Sequence, residues 1–175
     1  YIKKLITTTL LNIAIFQGTV LGLLILKSSL FNSNSNKYLA YLLFTLSIIL
    51  LNHVFEVEDT FTTYPFLHFI DNIEWVFLLP VFMFLFIKNR TQNTVKTKQK
   101  VYLCFIPFAY SAILNIVSDL DHVAGIYTIP QTGIVLMTIL GLIHLALALT
   151  FIPFLLIYSY FIIKNLRDPQ EKKWI

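Results

Sequence analysis

Nine polar side chains stand within or beside otherwise apolar stretches: Asn12, Asn52, His53, Asp71, Glu74, Ser111, Asn115, Thr138 and His144. Amides and hydroxyls there offer hydrogen bonds. The carboxylates and imidazoles can also hold charge or a proton, and an ionisable group among apolar residues is a functional candidate by default. Asn12, Gln17, Asp71, Glu74, Asn115 and His144 are the candidate ligand contacts, the lining of a polar cavity into which a small ligand or a lipid headgroup descends. The plainer alternative is hydrogen bonding between helices, which serves packing alone. Two short clusters carry metal-type residues, His68–Phe69–Ile70–Asp71 and Asp119–Leu120–Asp121–His122. Neither supplies a third convergent ligand, so no metal is expected, and the histidines are not paired at matched depth as a haem would need. There is no H-E-x-x-H, no G-x-S-x-G and no phosphate-binding glycine loop. Neither enzymatic activity nor a cofactor is therefore expected.

The elements that must position these residues follow from composition. Of 175 residues, 57% are hydrophobic and only 13% charged, about half the charge of an average soluble domain. Such a chain cannot cover its apolar surface with charge, which excludes a water-soluble globule and predicts an all-α, polytopic membrane helix bundle. A span needs about 20 apolar residues, and five stretches qualify as one transmembrane domain: residues 5–26, 38–55, 68–87, 101–117 and 134–163. The third contains Asp71 and Glu74. The fifteen Leu, Ile, Phe and Val residues of Phe66–Ile87 favour insertion by about 0.3–0.6 kcal/mol each, against roughly 2.5–3.5 kcal/mol for a central acid. Insertion wins, with both acids toward one end and Trp75 at headgroup level. The last stretch is too short for two spans and predicts one long tilted helix.

Eleven of the thirteen Lys and Arg residues fall on one side of a five-span map: Lys27, Lys37, Lys88, Arg90, Lys96, Lys98, Lys100, Lys164, Arg167, Lys172 and Lys173. The opposite connections hold Glu56, Glu58, Asp59, Asp119 and Asp121. The positive-inside bias then places the N-terminus outside and the C-terminus in the cytoplasm, with Lys3 and Lys4 the only dissenters. In this orientation all nine polar side chains fall in or near the outer half of the membrane. Gly18 and Gly22 form a GxxxG on a stripe with Thr8, Asn12, Ile15 and Thr19, a helix-packing face. Pro80, Pro107 and Pro153 each interrupt a span and are candidate hinges. The lone Cys104 has no intrachain disulfide partner.

Asn12–Ile13–Ala14–Ile15–Phe16–Gln17–Gly18, the following Leu21–Lys27 run and Asn36–Lys37–Tyr38–Leu39–Ala40 carry a further signal. With Leu79–Pro80–Val81–Phe82–Met83–Phe84, Ile87–Lys88, Val101–Pro107 and the terminal Glu171–Ile175, they resemble the N-terminal membrane domain of bacterial membrane-bound AraC-type transcription regulators. Leu79 stands where that pattern has glycine, and phenylalanines stand where it has tyrosine. The resemblance implies a bacterial inner-membrane, multi-pass sensory or anchoring domain that passes a periplasmic or membrane signal to a cytoplasmic helix-turn-helix domain. Five spans leave no room for such a DNA-binding domain within these residues, so no nucleic-acid contact is expected here. The expected surroundings are the lipid bilayer and either a second copy or unlike membrane subunits. The alternative function is a non-catalytic accessory subunit of a larger membrane complex, joined through the first helix. A small transporter is less well matched, since repeat symmetry is missing.

Overall fold

The computed structural model describes residues 2–28, 33–91, 101–122 and 131–164, and no strand occurs among them. The first long helix, α1, is Ile2–Lys27. The second, α2, is Asn34–Val57 and starts earlier than its hydrophobic run. Its start is set by capping: the Ser33 side chain accepts the Asn36 backbone N–H at 3.2 Å, so the Asn/Ser-rich segment before the hydrophobic run supplies the cap and first turn of the helix. The chain leaves α2 through Asp59, whose φ of 58° is left-handed, a conformation that Asp tolerates better than most side chains.

The third span is not one helix. A short turn, α3 (Thr60–Thr63), leads into a 3₁₀ turn at Pro65–Leu67, then α4 (His68–Asp71). Residues 72–74 are non-helical, and a 3₁₀ turn at Trp75–Phe77 restarts the chain into α5 (Leu78–Thr91). The fourth span opens with 3₁₀ residues 101–105 and continues as α6 (Ile106–His122). The last is a single helix, α7 (Gln131–Lys164), of 34 residues. Among the described residues five helical segments are long and apolar enough to cross a membrane: Ile2–Lys27, Ser35–Val57, Pro65–Thr91, Val101–Leu120 and Gly133–Lys164. The protein is thus an all-helical, multi-pass membrane bundle in contact with lipid.

Helix α5 is central, packed on α2 and α7, while α6 lies on α7 and α1 lies on α2. The core joins Val81, Phe84 and Leu85 of α5 to Leu155 of α7, with Tyr38, Cys104 and Phe151 packed around them. Pro80 and Pro107 fall in the first turns of α5 and α6. Helix-start N–H groups have no intrahelical acceptor, so a proline there sacrifices little. Both residues therefore help to start helices, whereas Pro153 alone lies inside one.

The start of α1 is tied to the end of α2 through Glu58. The Thr8 hydroxyl donates to Glu58 Oε1 at 2.7 Å and Lys4 Nζ lies 3.4 Å from Oε2. The Thr8 hydrogen bond, helped by the Lys4 charge, holds this carboxyl below its ordinary range against the opposing effect of desolvation. A carboxyl lowered by folding contributes above its ordinary range, and that contribution is lost as pH falls through the lowered value. In a Cys104→Ser background, spin labels at Ile6 and Val57 should give a narrow distance distribution at pH 7. The distribution should broaden as pH drops below the usual glutamate range, and Glu58→Gln should leave it broad at both.

Candidate functional site at the break in the third span

Unwinding residues 72–74 strips helical partners from nearby carbonyls. In an unbroken helix the Ile70 carbonyl would accept from residue 74 and the Asn72 carbonyl from residue 76. Side chains take over both. Trp75 Nε1 donates to the Ile70 carbonyl at 3.0 Å, with Asn52 Nδ2 of α2 at 3.5 Å from the same oxygen. Asn115 Nδ2 of α6 donates to the Asn72 carbonyl at 2.5 Å. The Asn72 side chain returns the contact, its Nδ2 donating to Asp119 Oδ1 at 2.6 Å. Non-helical backbone at membrane depth is tolerated only where protein encloses it or water reaches it, and here α2 and α6 supply the enclosure. Ser111, Asn115 and Asp119 recur every four residues along α6 and so share one face. Asp119 is 5% exposed and Ser111 fully buried, and Asp119 Oδ2, Ser111 Oγ and Asn52 Oδ1 have no hydrogen-bond partner among the described residues.

The last helix closes the site. His144 Nε2 of α7 lies 3.2 Å from Glu74 Oε2, yet the ring nitrogen is not placed to make an aligned hydrogen bond. The contact is one of charge and proximity rather than of directed donation. The His144 side chain is 14% exposed and that of Glu74 43%. Phe77 covers the imidazole, ring centroids 5.6 Å apart, and Tyr110 lies at 6.4 Å. Tyr110 also donates its hydroxyl to the Leu140 carbonyl at 2.8 Å, one turn before His144, which pins α6 to α7 at this level.

Of the six candidate ligand contacts, the structure brings Glu74, Asn115 and His144 to the break, with Asp71 half-buried in the last turn of α4 beside it. Asn12 and Gln17 are exposed on α1 and make no hydrogen bond to that group among the described residues. Thr8, Ile15 and Thr19 are half-buried and Gly22 is buried. A Cβ on Gly18 would meet Ser47 Oγ at 2.5 Å, and one on Gly22 would meet the Phe44 ring at 2.7 Å. The GxxxG face is therefore used inside the chain, against α2. Sequence reasoning missed Asn72 and the pairing of Asp119 across to it. Trp75, read as a headgroup anchor, spends its N–H on the break.

His53 pairs with the exposed Glu56 at 3.1 Å, and His68 stacks on Phe61 with centroids 4.6 Å apart. The His122 side chain and the Glu171–Ile175 segment lie outside the described residues. Among the described residues no three His, Cys, Asp or Glu side chains converge as metal ligands would. No protein-family model, curated protein or solved structure matches the chain. What the site does must come from its geometry.

Proposed function

We propose that this chain is the membrane-embedded sensory part of a transcription regulator, with the break in the third span as its input site. The observation that carries the proposal is the unwound backbone at 72–74, held by side chains from α2 and α6 and faced by the His144–Glu74 pair. Packing alone does not call for a broken span whose carbonyls must be re-satisfied by three side chains, those of Asn52, Trp75 and Asn115. A site that shifts between two arrangements does, because its hydrogen bonds can be exchanged without unfolding a helix. The resemblance to the membrane domain of AraC-type regulators supplies the direction of output, toward a cytoplasmic DNA-binding domain.

Orientation belongs to the same proposal: N-terminus outside, C-terminus cytoplasmic, in a bacterial inner membrane. The charge asymmetry supports it, and so does the pairing of Lys4 with Glu58, which masks one of the two lysines that oppose the bias. The break then faces the exterior and the Lys88 end of α5 the cytoplasm.

Transcript profiling of host cells tests the function. Deletion of the gene should shift a defined set of transcripts, and a chromosomal His144→Leu allele, at equal membrane abundance, should reproduce at least half of those shifts. A transcript set indifferent to deletion overturns the regulator reading. Copurification with unlike membrane subunits at fixed stoichiometry would replace it with the accessory-subunit reading.

A further inference from the structure

From the surroundings of His144 we infer that the ligand of the break is a proton, bound by His144 and Glu74 and joining α7 to the unwound segment. The inference rests on the break being the input site and names what that site binds. The groups facing the imidazole are few. The unwound segment presents the Glu74 carboxylate, 3.2 Å from Nε2. From α6 comes the Tyr110 ring, whose hydroxyl is engaged at Leu140. From the turn before α5 comes only Phe77. The charged residues of α5 itself, Lys88 and Arg90, are in its last turn, at the other end. No Lys or Arg among the described residues reaches Glu74, so its charge is answered by His144 alone.

A neutral imidazole answers it poorly. If Nε2 is bare, its lone pair faces the carboxylate. If Nε2 carries the hydrogen, the N–H is misdirected, as the unaligned geometry shows. An added proton removes both difficulties, because imidazolium carries donors on both nitrogens and attraction between full charges depends little on alignment. Proton uptake makes the ring cationic and the pair net neutral, which suits a position shielded by Phe77 and Tyr110. Glu74, three times as exposed as His144, is the route by which the proton arrives. Deprotonation leaves the carboxylate unanswered, so α7 and the break lose their mutual attraction.

Trp75 reports on this directly, since its indole N–H bonds the Ile70 carbonyl inside the break. The test uses the chain with Trp174→Phe, which leaves Trp75 as the sole tryptophan of two. It is placed in nanodiscs of zwitterionic lipid and taken from pH 8 to pH 5, the interval across which histidines titrate. A reversible change in Trp75 emission is expected. His144→Gln should remove at least four-fifths of its amplitude, and His68→Gln, which alters the other histidine near the break, should retain it. If His144→Gln does not purify as the wild-type species, Glu74→Gln decides the matter by the same criterion. Emission that stays flat in the unsubstituted pair, or that changes in full in both variants, overturns the inference. So does a larger response to sodium chloride at constant pH than to protons. Any of these outcomes leaves the transcript test untouched, so the sensor can stand with a different ligand.

Discussion

Replacing Asn115 by leucine is expected to cost about 1–3 kcal/mol of stability and to disturb the break more than any other single change on α6. The side chain's job is to satisfy the Asn72 carbonyl, a backbone acceptor whose helical partner was lost when the chain unwound. Leucine fills a similar volume without a donor, so the half-buried carbonyl loses its side-chain partner. Asn72 is then no longer anchored from above, and its own donation to Asp119 should weaken with it. Thermal unfolding in mild detergent, alongside Trp75 emission, should show both effects. Ser118→Ala, on the neighbouring half-buried position, should change neither. An Asn115→Leu protein of wild-type stability and emission would mean that the break is held by other contacts.

Gly22→Leu is the second large effect, by a different mechanism. At this residue the helices approach so closely that a Cβ would stand 2.7 Å from one Phe44 ring atom and 2.9 Å from the next. Alanine would require the ring to turn aside, but leucine needs more room than a ring rotation provides and must push α1 off α2. Overpacking of this kind costs about 1–3 kcal/mol, and since α1 rests chiefly on α2, little else holds it in place. The matched comparison is Gly141→Leu on α7, where nothing lies within 4 Å of the new Cβ. The same substitution should be nearly silent there. Unfolding midpoints in detergent, with cysteine cross-linking between α1 and α2, separate the two cases. Equal behaviour at the two glycines would show that the α1–α2 contact does not depend on Gly22.

The spans were legible because they depend on length and hydrophobicity, and the long α7 was read as one helix for the same reason. The break was not, because insertion arithmetic counts side chains while a break is decided by where backbone carbonyls find partners. Asp71, Asn72, Glu74 and Trp75 within one candidate span was the available signal. It was read as acids at an interface instead of as a segment able to hydrogen-bond its own unwinding. On α6 Ser111 and Asn115 were legible as polar positions in a span while Asp119 was counted with a connection, and its role appears only when Asn72, 47 residues earlier, is brought opposite. Asn12 and Gln17 mark the converse error. A polar residue in a span need not face the interior when its helix lies at the edge of the bundle.

The 34 residues of α7 form a rod about 51 Å long, well beyond the roughly 30 Å of oily interior it must traverse. It therefore behaves as a lever whose two arms emerge into different aqueous compartments. Tilting such a rod by five degrees about its midpoint carries each tip sideways by roughly 2 Å, the scale on which helix shifts switch assemblies. On the proposed sensing role, a loosening of the His144–Glu74 contact, partway along one arm, would be felt at the far tip with no intervening joint except Pro153.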